Sequence, residues 1–150
     1  MATYPKVLKP WRGFPNMNGL HGIAINVNQA PAVQNVYGQP GRTGVALVRD
    51  VAYHIGTVPR GSIFLPASGF ISTAFTASVT LNIGTKTAST NLLASATIAP
   101  ATTGYKANLT LGALAASPLT EDTPLYILAE AAVPAAGVMS LVIPFYIHRD

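Results

Sequence analysis

Residues 125–147 read LYILAEAAVPAAGVMSLVIPFYI, and the fold depends on whether they form one helix or two strands. The stretch is long enough to cross a bilayer and contains one charge, Glu130. Two prolines and a glycine would interrupt a helix, and Glu130 would lie in hydrocarbon. Aromatic and β-branched residues at both ends are typical of strands. We therefore predict no membrane span but two strands, joined as a hairpin by the turn PAAG at 134–137.

Similar apolar runs, separated by turn residues, recur upstream of this pair. FTASVTLNIGT at 75–85 alternates apolar and polar residues, which is the pattern of a strand with one buried face. The full set of runs lies at 44–55, 62–75, 76–84, 105–114, 124–133 and 138–148. Only 89–96 has a briefly helical pattern. This spacing predicts an all-β, single-domain β-sandwich.

Composition limits what the surface of this sandwich can be. The 150 residues are 49% hydrophobic and 9% charged, where about 25% charged is usual. Serine, threonine, asparagine, alanine and glycine must therefore cover much of the surface. The net charge of +4 arises in the first 60 residues, which hold six Lys and Arg against one acid. The absence of cysteine suits assembly in a reducing cytoplasm.

The chain divides into two regions. Residues 1–45 hold five of the twelve prolines and six of the thirteen glycines, a composition that favours extended chain and turns. We predict an extended N-terminal arm with loops over 1–45 and the sandwich domain over 46–150.

The motif YPKVLKPWRGF at 4–14 interleaves cations with aromatic residues. Its candidate interface residues are Tyr4, Lys6, Lys9, Trp11, Arg12 and Phe14. Three readings stay open. The arm holds nucleic acid by charge and stacking, anchors on a protein groove, or folds Trp11 back over its own core. Three cations offer few phosphate contacts, so a protein partner is favoured over nucleic acid.

The run 138–148 contains hardly any position suited to water. Continuous apolar residues predict a strand covered on both faces. The core would cover one face, and either a packed loop or another subunit would cover the other. The candidate interface residues here are Leu141, Ile143 and Phe145.

Candidates for chemistry are few. Glu121 and Asp122 are adjacent, and adjacent residues on extended chain point to opposite faces, so we interpret them as a solvated turn. Asp50 and His54 are four residues apart, so on a strand both side chains lie on the same face, where they could form a hydrogen bond or a weak metal site. The sequence offers no third ligand nearby. No nucleophile elbow, phosphate-binding loop or zinc motif is present in the sequence. We predict no enzyme activity, no metal and no cofactor.

Several segments are similar, in the same order, to those of one protein family. They are GTVPRGSIFLPASGFISTAF at 56–75, VTLNIGT at 79–85, NLLASA at 91–96 and SPLTEDTPLYI at 117–127, followed by the closing apolar pair. This order resembles the cement, or decoration, proteins of tailed-bacteriophage capsids over about residues 50–150. The first 45 residues have no counterpart in the resemblance.

The resemblance implies a jelly-roll or related sandwich without catalysis. It implies a homo-oligomer, for which we favour a dimer over a trimer, on the outer surface of an icosahedral virion. There it would bridge neighbouring subunits of the major capsid protein. The scarcity of charge on the surface supports this role independently, because a dry interface there would bury few unpaired charges.

Two other functions are kept as alternatives. A phage surface carbohydrate-binding module would stack Tyr37, Tyr53 or Tyr105 on sugar. A nucleic-acid-binding protein would use the basic aromatic arm, and its affinity would fall steeply with salt.

Overall fold

The computed structural model describes residues 20–29 and 46–148 of the chain. The strands are β1 (His21–Asn28), β2 (Ala52–Val58), β3 (Ser62–Phe64), β4 (Ala67–Thr73), β5 (Thr80–Gly84), β6 (Gly104–Leu109), β7 (Thr123–Glu130) and β8 (Val138–Ile147). One short helix, α1 (Ser95–Ile98), and a 3₁₀ turn at Ala113–Ala115 accompany them. The helical pattern at 89–96 therefore overlaps a real helix only at its last two residues. Across the described ranges, no helix has the length and apolar character needed to span a membrane.

Two antiparallel sheets form the molecule. In the five-stranded sheet the order is β1-β8-β4-β6, with β3 also paired to β8, and in the three-stranded sheet it is β2-β7-β5. The predicted all-β sandwich is confirmed. A jelly roll has eight strands in a double sheet. The described strands divide five to three, and the jelly-roll subclass stays a prediction.

The core lies between the sheets and is built by alternation. Every second residue of the long strands points inward, so that one face of each strand is buried and the other faces away. The inward residues include Ile23 and Ile25 on β1, Leu125 and Ile127 on β7, and Leu141 and Ile143 on β8. Burial of each such side chain contributes about 1.5–3 kcal/mol, which makes this cluster the main source of stability.

The predicted hairpin at 124–148 is wrong, although both of its strands exist. β7 pairs with β2 and β5, whereas β8 pairs with β1, β3 and β4. The two strands belong to different sheets, and each buries one apolar face in the shared core. The connection crosses between the sheets, where the Thr76 hydroxyl oxygen accepts hydrogen bonds from the N–H groups of Ala135 (3.0 Å) and Ala136 (3.1 Å).

The predicted arm over 1–45 is wrong in one part. Residues 21–28 form β1, an edge strand of the five-stranded sheet, paired along its whole length with β8. Its alternating isoleucines and valine are buried in the core, so the sandwich begins before residue 46. The remaining residues of the predicted arm, 1–19 and 30–45, lie outside the described residues.

Candidate interaction surface

The two faces of β8 have opposite environments. Leu141, Ile143 and Phe145 point into the core, with relative exposures of 2%, 0% and 8%. Val142 and Tyr146 point away from it and are 45% and 40% exposed. The predicted packed loop over the outward face is not observed among the described residues, and cover by another subunit stays a prediction. Leu141, Ile143 and Phe145, the predicted interface residues, lie in the chain's own core, so in the single chain they present almost no surface to a partner.

One row of outward side chains crosses the five-stranded sheet. Ser140 on β8 lies opposite Asn26 on β1 and opposite Phe70 on β4, and Phe70 lies opposite Tyr105 on β6. The Ser140 hydroxyl donates to Asn26 Oδ1 at 2.8 Å. The rings of Phe70 and Tyr105 are 4.8 Å apart, and Tyr105 is 88% exposed. Cross-strand pairing thus assembles an aromatic pair from residues 35 positions apart in sequence.

A second row runs beside the first. Val142 lies between Ala24 on β1 and Ser68 on β4, and Tyr146 lies opposite Ile63 on β3. We call this outward surface the open face, defined by Asn26, Phe70, Tyr105, Ser140, Val142 and Tyr146. Its aromatic and aliphatic side chains are exposed without an apolar partner layer in the described part of the chain.

The open face is uncharged over the described residues. The nearest cation in its strands, Lys106 on β6, points away from it and donates through Nζ to the Ala99 carbonyl at 3.3 Å. Neither β1, β4 nor β8 contains a charged residue. A partner could therefore cover this face without desolvating an ion.

The outward face of the three-stranded sheet is different. Asn82 on β5 is 7% exposed, donates through Nδ2 to Glu130 Oε2 at 3.2 Å, and accepts from Ser95 N–H at 2.9 Å. A Cβ atom on Gly84 would collide with the Ala88 carbonyl oxygen. The segment 85–95 thus packs closely over β5 and covers that part of the sheet.

An open cleft lies beside this covered face. It has a volume of about 380 Å³ and is lined by Lys86, Glu121, Asp122 and Tyr126, among others. Glu121 and Asp122 are exposed ahead of β7, and Asp122 Oδ1 accepts a hydrogen bond from the Arg60 N–H at 2.8 Å. This carboxylate ties two loops together, as a turn residue does.

The Asp50 and His54 pair is not assembled as a site. Asp50 sits in a turn with φ of 64° and contacts Arg49 Nε at 3.2 Å. His54 Nε2 instead hydrogen-bonds Thr57 Oγ1 at 3.1 Å. The described ranges contain no group of three side chains placed to hold a metal ion.

The other residues proposed from the sequence have mixed outcomes. Tyr53 is half-buried against the core, whereas Tyr105 is exposed on the open face. Tyr37 and the arm residues Tyr4, Lys6, Lys9, Trp11, Arg12 and Phe14 lie outside the described residues. Sequence reasoning missed Phe70, Val142 and Tyr146. The alternation of side chains along β8 could have indicated Val142 and Tyr146, because these two residues alternate with the buried ones.

Comparisons with known proteins identify a fold relative. No protein-family model matches the chain, and no curated protein matches it either. Among solved structures, a chain of the cyanophage Pam1 capsid asymmetric unit is similar, with a TM-score of 0.52 and 17% sequence identity. The match covers 87% of this chain and 86% of that one, so the two chains have similar lengths. At this identity the likeness concerns the fold.

Proposed function

We propose that this chain is a structural virion protein of a phage, and that it binds the outer surface of the icosahedral capsid. There it bridges neighbouring subunits of the major capsid protein and stabilises the shell. The observation that carries the proposal is the open face, an uncharged and partly aromatic sheet surface. The role we propose is non-catalytic and needs neither metal nor cofactor.

The chemistry of the open face supports attachment to another protein. Aromatic residues are enriched at the centre of protein interfaces and charged residues are depleted there. Phe70, Tyr105 and Tyr146 supply rings, while Asn26 and Ser140 supply hydrogen-bonding groups that tolerate a wet rim. Many symmetry-related copies on one shell would make modest contacts sufficient, because attachment to a bridged shell is multivalent.

The fold likeness supports the same setting. The relative of similar length belongs to a phage capsid asymmetric unit, which makes a capsid the natural place to test for this chain. The rival enzymatic function finds less support in the side chains. Glu121 and Asp122 are exposed, and Asp122 accepts a backbone hydrogen bond in a turn.

The first test places one charge on each of two outward faces. Val142→Lys puts a cation at the centre of the open face, and Ala52→Lys puts one at an exposed position on the opposite sheet. We expect Val142→Lys to lose binding to purified, undecorated shells, and Ala52→Lys to bind like the parent chain. Occupancy is measured by cosedimentation and electron microscopy. Equal occupancy of both variants would reject the open face as the attachment surface.

A salt titration separates protein attachment from nucleic-acid binding. Apolar contacts change little between low and moderate salt, whereas phosphate contacts weaken steeply. We expect shell occupancy to hold across this range. A steep loss of occupancy would favour the basic segment over the open face.

The N-terminal segment is proposed to strengthen the attachment. Deletion of residues 1–15 removes its aromatic and basic anchors and leaves β1 intact. We expect a folded domain with weaker shell binding, measured on the same purified shells. Unchanged occupancy would show that these residues serve another purpose.

Carbohydrate binding is the second candidate, and the open cleft favours it. Lys86, Glu121 and Asp122 offer hydrogen bonds there, beside the ring of Tyr126. Binding of the isolated protein on a glycan array, lost in Tyr126→Ala, would support this function. Binding that instead depends on Tyr105 would move the sugar site to the open face.

A further inference from the structure

The cleft beside the three-stranded sheet opens where two paired strands separate. β5 and β7 pair as far as Gly84, which lies opposite Tyr126. Beyond that pair, segment 85–87 leads away from β5 and segment 121–124 runs into the start of β7, and residues of both segments line the cleft. The cleft therefore has two walls from different parts of the chain, with Tyr126 at the point where the strands part.

The ring of Tyr126 is held in place on the outward face of β7. His54 on β2 lies opposite it, and the two ring centroids are 5.5 Å apart with planes tilted by 60°. On its other side lies Gly84, where the chain passes so closely that an added Cβ atom would collide with the Ala88 carbonyl oxygen. A ring fixed in this way offers a preformed surface on which a flat apolar face of a ligand can stack.

The walls of the cleft carry charges of both signs. One wall supplies Lys86, and the other supplies Glu121 and Asp122, and all three residues are exposed. The one ion pair in the part of the chain that the structure describes joins Arg49 to Asp50, so Lys86 is paired with neither carboxylate across the cleft. A hydrogen-bond donor and two acceptors therefore border the same open space.

The charges around the cleft also balance. Arg60 lies beside Asp122, whose Oδ1 accepts a hydrogen bond from the Arg60 N–H at 2.8 Å. Together with Lys86, it brings two cations to the two carboxylates of Glu121 and Asp122. No net charge therefore draws a ligand of either sign into the cleft, and a charged ligand meets at least one like charge there.

Hydroxyl groups are the ligand chemistry that suits both walls. A hydroxyl donates one hydrogen bond and accepts others, whereas an ammonium only donates and an ionised carboxylate only accepts. A hydroxyl-rich ligand can therefore accept from Lys86 and donate to Glu121 and Asp122 at the same time. A carboxylate or an ammonium on the ligand would suit one wall and be repelled by the other.

We infer that the cleft binds an uncharged, hydroxyl-rich sugar, whose apolar C–H face stacks on Tyr126 while its hydroxyls bond to Lys86, Glu121 and Asp122. The inference rests on the second candidate function, carbohydrate binding, and names the class of sugar and the residues that select it. The cleft volume of about 380 Å³ lies in the range of small-molecule sites, about 300–1,000 Å³.

The cleft and the open face lie on opposite sides of the molecule. Tyr126 is on the outward side of the three-stranded sheet, and the open face is the outward side of the five-stranded sheet. A chain attached to a shell by its open face would therefore hold the cleft away from that shell. Sugar binding and shell attachment use different residues, so each can fail without the other.

A glycan array probed with the full chain tests the inference. The array carries neutral oligosaccharides of glucose, galactose and mannose, beside matched oligomers of uronic acids and of unacetylated amino sugars. We expect binding to the neutral oligosaccharides only, and Tyr126→Ala should lower the affinity about tenfold or more. The matched control is Tyr105→Ala, which removes an exposed ring on the open face and should bind like the parent chain.

A charge reversal gives a readout that misfolding cannot imitate. Lys86→Glu makes the cleft acidic, so we expect this variant to gain binding to the unacetylated amino sugars. The control Arg49→Glu reverses an exposed cation near the other end of β7, where the neighbouring Asp50 N–H donates to the Ala129 carbonyl. It should leave the sugar preference unchanged.

The outcomes separate the class of sugar from the function itself. Equal or tighter binding of charged sugars, still lost in Tyr126→Ala, would overturn the class and leave carbohydrate binding standing. Failure of Lys86→Glu to gain amino-sugar binding would show that the charges do not select the ligand. Binding unchanged in Tyr126→Ala would overturn the cleft as the site. No binding to any sugar on the array would overturn both the inference and the second candidate function, and would leave shell attachment untouched.

Discussion

The outward faces of the two sheets meet solvent in different ways. On the three-stranded sheet, segment 85–95 packs over β5 and polar side chains fasten it, with Asn82 bonded to both Ser95 and Glu130. On the five-stranded sheet, Phe70 and Tyr105 stand exposed with no charge beside them among the described residues. Segment 85–95 covers part of the first face, whereas the described residues supply no cover for the second.

This difference teaches how a chain with so few charges divides its surface. Segment 85–95 covers the β5 part of the three-stranded sheet and is fastened there by hydrogen bonds, which leaves that part of the face little free area for a partner. Leaving the other sheet open and uncharged lowers the cost of desolvating it in a complex. The same composition thus yields a three-stranded sheet whose outward face is partly covered by the chain, and a five-stranded sheet whose outward face is uncharged among the described residues.

The largest expected effect separates the two faces of β8. Leu141→Asp buries an unpaired charge in the core, which costs several kcal/mol, a large part of the stability of a domain this size. We expect Leu141→Asp to give no cooperative thermal transition by circular dichroism. Val142→Asp, one residue away on the open face, should fold and melt near the parent temperature. Failure of both variants to fold would mean that the open face is covered in the free protein.

A smaller effect compares glycines on the covered and the open face. Gly84→Ala drives a Cβ atom against the Ala88 carbonyl oxygen, and such overpacking costs about 1–3 kcal/mol. In Gly22→Ala the new Cβ atom would lie 3.2 Å from the exposed Val142 side chain and 3.8 Å from the Ile143 carbonyl oxygen, and the free energy of unfolding should change by about 0.5 kcal/mol or less. Urea denaturation measures both. Equal losses would show that segment 85–95 is not held closely over β5.

A further pair compares serines. Ser95→Ala removes the acceptor of the Leu81 N–H on β5, and the loss of such a bond costs about 1 kcal/mol. Ser140→Ala removes an exposed bond to Asn26 on the open face, where water replaces it at little cost. Denaturation midpoints should therefore fall for Ser95→Ala only. A larger fall for Ser140→Ala would contradict the division into covered and open faces.

The smallest effects are expected in the cleft beside the covered face. Asp122→Asn keeps an oxygen that can accept from Arg60 N–H, and Glu121→Gln changes an exposed side chain. Each should alter the free energy of unfolding by less than about 0.5 kcal/mol and leave shell binding intact. Loss of a hydrolytic activity in either variant, with folding unchanged, would replace the structural role with an enzymatic one.

Strand positions could be predicted from the sequence because alternation and turn residues are local signals. The runs at 105–114, 124–133 and 138–148 each contain an observed strand or most of it. Pairing could not be predicted in the same way. The turn at 134–137 suggested a hairpin, but the strands on either side of it belong to different sheets. A local turn signal does not say whether the next strand lies beside the first or opposite it.

The low charge of the candidate surface could be predicted from the sequence, but the residues that form it could not. Scarce charge indicated an interface, and that inference came from composition alone. The apolar run 138–148 suggested Leu141, Ile143 and Phe145 as interface residues, but alternation places these three on the face of β8 that the chain buries itself. The aromatic pair of Phe70 and Tyr105 exists only through the register of β4 with β6.

The sequence by itself determined the class of fold, the positions of most strands and the near absence of charge, because periodicity and composition are properties of neighbouring residues. The tertiary structure alone decided which sheet each strand joins, which face of β8 is buried in the core, and that residues 21–28, within the predicted arm, form strand β1 of the five-stranded sheet. These depend on long-range pairing, where the burial of one apolar face against another selects among arrangements that local pattern leaves equal.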